Sequence, residues 1–280
     1  MNAQAHQTTV ETVRQVTLAD GRVVVETNRY VELATGLNRR DPVSGRWVRA
    51  EAVVEAFAEG FVARRTAHQA IWPRRLDAEA VVDVLDAEGK RYRSRVLGLG
   101  WFDAASGRSA VIAETRPVEG RLEGPNRVVY PDAFAGVKAD LVYENRLAGV
   151  AQEVVLREAL PGPELWGLDP ETTRLEVMTE FVEAPAGKVK PRVLARLAQG
   201  AERERWAAPD LVDEEVEFGA YRLGPGRAFG LEEREEPGAG VAVAKQWVEL
   251  AGRRVLFEQV EWRRVRERVQ GLPVSGQAQG

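Results

Sequence analysis

Carboxylate side chains around the loop at residues 131–140 come closest, by type and spacing, to a chemical site. Asp132 and Asp140 flank this loop, and Glu144 and Glu153 follow on predicted strands. Two carboxylates about 5–10 Å apart can hydrolyse a glycosidic bond, and loop aspartates can bind calcium. However, the chain has 43 acidic residues, so chance proximity is expected, and it has no D-x-D-x-D-G calcium loop. We therefore keep Asp132 and Asp140 as ligand-binding candidates and assign no catalytic residue and no metal site.

Tryptophan is the second residue type that could contact a ligand, because aromatic faces on β-sandwiches can bind sugar rings. The chain has seven tryptophans. Trp47, Trp101 and Trp247 lie in strand patterns, where large aromatic side chains are typical of a core. Trp166 and Trp206 lie in loop-like stretches near prolines and are the better candidates for exposure. These two residues are the candidate platform for a carbohydrate.

The residue types that most enzymes need are scarce. Cysteine is absent, which excludes disulfides, zinc–thiolate sites, iron–sulfur clusters and cysteine nucleophiles. Of the two histidines, His6 lies in a polar N-terminal stretch and His68 has no second histidine at a metal-ligand spacing. No serine lies in a G-x-S-x-G elbow, and the glycine-rich stretches lack the strand–loop–helix setting of a phosphate loop. The sequence therefore predicts a protein that is not an enzyme and needs no cofactor.

Charge and hydropathy limit the range of partners. With 39 basic against 43 acidic residues the net charge is −4, which argues against a basic nucleic-acid interface. The sequence has no run of about 18 apolar residues, so no transmembrane segment is predicted. The N-terminal stretch MNAQAHQTTV lacks the basic and apolar regions of a secretory signal. This suits a cytoplasmic protein, or a secreted one whose leader has been removed.

The elements that would position these residues are mostly strands. Short apolar runs recur about every 8–12 residues, separated by turns rich in Asp and Gly, most clearly over residues 79–116. This spacing is typical of antiparallel sheets that pack face to face. Residues 263–270, with Val265 and Val269 four positions apart, predict a short terminal helix. The predicted fold is mainly β, an antiparallel β-sandwich or an extended supersandwich with at most one or two short helices.

The predicted organisation is one β-module between polar ends. Residues 1–15 are polar and are predicted to form a disordered tail. Residues 16–270 form the β-sandwich module, and residues 271–280 are similar to the start of a linker. Two stretches that contain Gly and Pro, 117–126 and 184–191, are candidate boundaries between two sub-domains.

One segment, residues 128–158, resembles part of a known class of proteins. The resemblance lies in VYPDAF at 129–134, GV at 136–137, DL at 140–141, Tyr143 and QEVVL at 152–156. These residues resemble a recurring segment of β-rich modules in large, mostly uncharacterised secreted bacterial proteins, including those with RHS/YD repeats. The flanking stretches ELATGLN, RVLGLGWFDAASGRSAVIAE and DEEVEFGAYRLGPGRAF resemble N-terminal regions of such proteins. The resemblance implies an extracellular or cell-envelope location, a mainly β scaffold and a chain cut from a longer protein, and it carries over no catalytic residues.

Turn chemistry predicts that the same segment is a folding element. Phe134 and Val137 are expected to fill the core beneath the loop, and residues 144–149 are expected to form a hairpin connection that ends at Gly149. Asp140 is expected to accept a hydrogen bond from the backbone of the preceding loop, as aspartate often does in turns.

These observations favour a non-enzymatic structural or adhesion-type module of a larger secreted or cell-surface bacterial protein. Its expected partners are the other domains of that protein, or else a glycan or another protein, with no nucleic acid among them. The first alternative is a carbohydrate-binding module that uses Trp166 or Trp206. The second is a glycan-active hydrolase or lyase that uses Asp132, Asp140 or neighbouring acids.

Overall fold

The computed structural model describes residues 2–17, 22–195, 211–219, 221–234, 236 and 239–274. It confirms the mainly β class, with 58% strand and 7% helix in antiparallel sheets. The strands are β1 Asn2–Gln4, β2 Gln7–Thr17, β3 Val23–Leu33, β4 Asn38–Arg40, β5 Trp47–Arg49, β6 Glu55–Phe57, β7 Gly60–Ala63, β8 Gln69–Pro73, β9 Val82–Leu85, β10 Arg91–Asp103, β11 Ser109–Glu114, β12 Arg121–Glu123, β13 Arg127–Tyr130, β14 Ala139–Arg146, β15 Gly149–Leu156, β16 Thr173–Glu183, β17 Lys188–Ala195, β18 Leu211–Phe218, β19 Tyr221–Leu223, β20 Gly226–Ala228, β21 Val241–Leu250 and β22 Arg253–Glu261. The helical elements of the described residues are the α-helix α1 Trp262–Gln270 and the 3₁₀ turns Pro163–Trp166 and Leu231–Glu233.

A ten-stranded sheet forms the main layer, in the order β20-β21-β22-β16-β10-β9-β8-β7-β6, with β11 also paired to β10. The 13-residue strand β10 is the centre of this sheet. One edge of β10 pairs with β16, while the other edge pairs first with β9 and then with β11. At Gly98 the neighbouring strand comes so close that an added Cβ would lie 2.2 Å from the carbonyl oxygen of Ala113.

The second layer is the four-stranded sheet β12-β13-β14-β15, which covers part of the large sheet. Tyr130 and Tyr143 from the small sheet pack with Trp72 from the large one, and all three side chains are fully buried. The hydroxyl of Tyr130 donates a hydrogen bond of 2.6 Å to the carbonyl of Pro73. Phe134, expected beneath the loop, is buried in this core as predicted. The layers thus form a β-sandwich-like fold because each sheet buries one alternating face against the other.

A smaller core forms beneath the C-terminal helix. Trp262, Val265 and Val269 share one face of α1 and are buried against Trp101, with the two indole rings 4.9 Å apart in an edge-to-face arrangement. The predicted helix over 263–270 is therefore confirmed, beginning one residue earlier. Within the described ranges, no helix is long and apolar enough to cross a membrane.

The N-terminal residues differ from the sequence-based expectation. Residues 2–4 and 7–17 form β1 and β2 where a disordered tail over 1–15 was predicted, and β2 pairs along its whole length with β3. The physical reason is that the Thr and Val residues interspersed in this polar stretch have high strand propensity, and β3 supplies the hydrogen-bonding partner. The sequence alone predicts disorder here because the apolar residues of this stretch are too few to form a core of their own.

The two candidate sub-domain boundaries, 117–126 and 184–191, do not separate sheets. Strand β12 lies within the first and β17 begins within the second. Strand β16 pairs on one side with β10, which precedes the first boundary, and on the other with β22, which follows the second. The predicted linker-like tail lies partly outside the described residues, which end at residue 274.

Candidate functional site

A cavity of about 610 Å³ lies between the large sheet and strand β15. The 3₁₀ turn Leu231–Glu233 and the helix α1 form the rest of its wall. In β16 and β22 side chains alternate between the two faces of the sheet, and the register places Leu175 beside Val260 and Val177 beside Glu258. The wall is therefore mainly aliphatic, and its central residues are Leu99, Val154, Leu156, Leu175, Val177 and Val260.

Glu258 is the acidic side chain on the sheet wall of this cavity. Burial raises the pKa of Glu258 to about 7; Lys245 opposes this shift and Asp213 adds to it. The amide nitrogen of Gln152 donates to Oε2 of Glu258 at 3.5 Å and to Oγ1 of Thr179 at 3.1 Å. The cavity thus combines a mainly apolar sheet wall with the Glu258 carboxyl, whose pKa is raised, while Glu153, Glu232 and Glu267 also border it. Such a site can bind a small apolar molecule and satisfy one polar group on it.

Lys245 and Asp213 form an ion pair next to the wall of this cavity. Lys245 lies in β21 directly opposite Glu258 in the sheet register, and Asp213 lies in β18. The Lys245 ammonium donates to Oδ1 of Asp213 at 2.6 Å, and the Lys245 backbone N–H donates to the same oxygen at 2.9 Å. The side chains of Lys245 and Asp213 are 2% and 1% exposed. Oδ2 of Asp213 has no hydrogen-bond partner within the described part of the chain.

Sequence reasoning missed this pair, although one signal was present. Lys245 interrupts the apolar stretch VAVAKQW and, between Val243 and Trp247, occupies a position that alternation assigns to the buried face. A lysine at such a position needs a buried partner. Which acid supplies the partner depends on the meeting of β18 and β21, which alternation alone does not predict.

Asp132 and Asp140, the two predicted ligand residues, lie together but away from the cavity wall. Oδ1 of Asp140 accepts the backbone N–H of Asp132 at 3.0 Å, which confirms the predicted bond to the preceding loop. Oδ2 of Asp140 accepts from Nε and Nη2 of Arg157 at 2.9 and 2.6 Å. Asp140 is buried and Asp132 is exposed with a φ of 46°. The Asp140 carboxylate therefore holds a left-handed loop residue in place.

Of the candidate carbohydrate platform, Trp166 and Trp206, the structure describes Trp166. Trp166 ends the 3₁₀ turn Pro163–Trp166, is half-buried and packs against the smaller core. Its carbonyl accepts from Nη2 of Arg108 at 3.2 Å. Trp206 lies outside the described residues.

His68 is a buried histidine. Its Nε2 lies 2.9 Å from Oδ1 of Asn145, and its ring is in edge contact with Tyr221. Burial lowers the pKa of His68, and the Asn145 contact opposes that shift. Among the described residues there is no group of three or more His, Asp or Glu side chains that could hold a metal ion.

No family model, no curated protein and no solved structure matches this chain. The candidate site is therefore assigned from its own geometry.

Proposed function

We propose that the chain is a non-enzymatic structural or adhesion-type β-module of a larger secreted or cell-surface bacterial protein. The observation that carries this proposal is the hairpin formed by β2 and β3. Val25, Val31 and Leu33 of β3 are 60%, 48% and 72% exposed. They share one face of the strand with Val23 because side chains alternate. An apolar strand face of this kind is typical of a surface that another protein segment covers.

The edge of this hairpin supports the same proposal. Strand β3 is the outer strand of the sheet β1-β2-β3, and its second edge has no partner strand within the described residues. A free edge presents a row of backbone N–H and C=O groups to which another strand can add. The occupant we propose is a strand from another domain of the same larger protein, as the resemblance to RHS/YD-associated modules implies.

Two measurements test this proposal. The first is the size and location of the natural polypeptide in the source bacterium, by immunoblotting after protease treatment of intact cells. We expect a protein much longer than 280 residues that is accessible to the protease. The second is hydrogen exchange over residues 7–17 and 23–33, which we expect to be slower in the natural protein than in the isolated chain. A 280-residue polypeptide confined to the cytoplasm would overturn the proposal.

The cavity supports a second candidate function, the binding of a small and largely apolar molecule. The aliphatic wall favours an apolar body, while Glu258 and Gln152 can bond one polar group. Native mass spectrometry of gently purified protein would reveal a bound molecule. Val177→Phe, which narrows the cavity, should abolish that binding, whereas Val111→Phe, at an exposed position of β11, should not.

The carbohydrate-binding and glycan-active alternatives depend on other residues. The first needs Trp166 or Trp206 to present an open ring, and the second needs two convergent carboxylates near Asp132 and Asp140. A glycan array with the wild-type chain and the variants Trp166→Ala and Trp206→Ala tests the first alternative. Release of reducing sugar by wild type but not by Asp132→Asn would support the second.

A further inference from the structure

An amine and a carboxylate meet between the large sheet and strand β18, and a second carboxyl group lies opposite the amine in the sheet. Nζ of Lys245 lies 2.6 Å from Oδ1 of Asp213, and both side chains are almost completely removed from water. Glu258 occupies the position opposite Lys245 on β22, where facing side chains have Cβ atoms about 4.5–5.5 Å apart. The three groups come from three strands and are therefore fixed by tertiary structure.

The strands that carry these groups are held firmly. Phe218 of β18 packs against Trp247 of β21, with ring centroids 5.8 Å apart, and Phe181 of β16 contacts both rings. The backbone N–H of Trp247 donates to Oε2 of Glu214 at 2.6 Å. Lys245 and Asp213 thus have little freedom to separate, which is the condition under which two groups react as if at very high concentration.

The surroundings of the pair are apolar. Leu211 and Val216, which flank Asp213 on β18, are fully buried. A proton that moves from the Lys245 ammonium to the Asp213 carboxylate along their hydrogen bond of 2.6 Å leaves a neutral amine and a neutral acid. A neutral lysine amine is a nucleophile. The carboxyl carbon of the neutral acid next to it is the electrophile, and Oδ2, which has no hydrogen-bond partner within the described residues, is the oxygen that can take up a proton and leave.

We propose that Lys245 and Asp213 join spontaneously in an intramolecular isopeptide bond, with Glu258 as the proton carrier. Nζ of Lys245 attacks Cγ of Asp213 and forms the new C–N bond. Glu258 donates its proton to the departing hydroxyl of Asp213, which leaves as water when the C–O bond breaks. Glu258 then recovers a proton from the nitrogen. The net change is one ammonium and one carboxylate converted to one amide and one water, with no oxidant, reductant or cofactor.

The product is a covalent connection between β18 and β21. It removes two buried charges whose desolvation makes an ion pair a weak source of stability. It also closes a loop in the unfolded chain, which reduces the entropy of that state. Glu258 borders the large cavity and Asp213 borders a smaller pocket of about 170 Å³, so the released water has room to leave. This inference stands on the three side chains alone and does not depend on the proposed function.

Mass spectrometry of the folded wild-type chain tests the bond directly. We expect the intact mass to be lower than the sequence mass by one water, and a proteolytic digest to contain one branched peptide that joins Lys245 to Asp213. Asp20-Gly21 could lose the same mass as a succinimide, so the branched peptide must be sequenced and must survive hydroxylamine. A folded wild type of full sequence mass, or a water loss located elsewhere, would overturn the proposal.

Variants separate the roles of the three groups. Lys245→Arg and Asp213→Ala should keep the full sequence mass. Asp213→Asn should lose ammonia in place of water, because the leaving group is then an amide nitrogen. Glu258→Gln should keep the two reacting groups but form the bond far more slowly, and unchanged bond formation in this variant would refute the role of Glu258. Lys90→Arg is the matched control, because Lys90 forms an exposed pair with Glu88, and it should show the wild-type mass loss.

Discussion

Individual buried ionisable side chains determine how the protein should respond to pH. His68 is 3% exposed and Glu176 is 4% exposed, and neither has a fully charged partner in hydrogen-bond contact. Burial lowers the pKa of His68 and raises the pKa of Glu176 to about 7. Both shifts favour the neutral side chain, which is what an apolar surrounding favours. The two residues should therefore make stability change with pH in opposite directions. Protonation charges His68, so it destabilises the fold in acid, whereas deprotonation charges Glu176, so it destabilises the fold in base.

His68 should make the protein less stable in mild acid. Its folded pKa lies below the ordinary value of 6.5, so below that pH the unfolded chain binds more protons than the folded one. The contribution is present above pH 6.5 and is lost as the pH falls towards the folded pKa. We expect the difference in unfolding free energy between wild type and His68→Gln to shrink between pH 7 and about pH 5. Urea titrations across this range measure it, with the exposed His6→Gln as control, and a pH-independent difference would contradict the prediction.

Asp140 should matter for stability, whereas Asp132 should not. Asp140→Asn removes the charge that holds Arg157 and weakens the bond to the Asp132 N–H. We expect a loss of about 1–2 kcal/mol in the free energy of unfolding. Asp132→Asn changes an exposed carboxyl and should alter stability by less than about 0.5 kcal/mol. Chemical denaturation measures both, and equal effects would mean that the Asp140 contacts contribute little.

At the scale of elements, β10 determines how the large sheet branches. It pairs with β16 over almost its whole length, and its other edge changes partner from β9 to β11 after residue 94. Register shifts occur on both edges near Gly98 and Gly100. Gly98 and Gly100, the two glycines of the sequence LGLG, lie where these shifts occur. The close approach to Ala113 leaves no room for a Cβ atom at Gly98.

Gly98→Ala should therefore be strongly destabilising. The added methyl group would meet a backbone carbonyl at 2.2 Å, which cannot move aside as a flexible side chain could. We expect a loss of about 2–3 kcal/mol or more, as for overpacked core positions. Gly224→Ala is the matched control, since an added Cβ there meets nothing within 4 Å. Similar melting temperatures for the two variants would contradict the prediction.

At the scale of the whole molecule, the two cores are connected. Ile112, Val137 and Leu156 contact both the core between the sheets and the core beneath α1. The large sheet also contains strands from before, between and after the two candidate boundaries. Few sub-domain motions are compatible with a shared sheet and shared core residues.

The described body of the chain should therefore unfold in one transition. Leu99→Ala in the first core should lower stability by about 2–5 kcal/mol, and Val265→Ala in the second core should lower the midpoint of the same transition. Calorimetry on wild type and both variants checks this. Two separate transitions, each sensitive to only one variant, would instead support two sub-domains.

Part of this architecture followed from the sequence. The apolar alternation and turn residues of 79–116 predicted β9, β10 and β11, because both signals act over a few residues. Val265 and Val269 predicted α1 from helical spacing, and Asp140 was expected to bond its own loop. Each of these features depends on neighbours close in the chain. The same local reasoning failed for residues 1–15, whose strands depend on a hairpin partner.

The sequence by itself determined the mainly β class, the terminal helix and the Asp140 loop, because backbone propensity and side-chain alternation are local properties. Only the tertiary structure decided that β10 and β22 flank β16, that a cavity lies beneath β15, and that Asp213 reaches Lys245 beside Glu258. These contacts join residues that are far apart in the chain. The alternation of apolar and polar residues predicts which face of a strand is buried, but it does not predict which strand will pack on that face. The chemistry that we propose therefore depends on Asp213 and Glu258, which folding brings to Lys245, and not on Asp132 and Asp140, which are close together in the sequence.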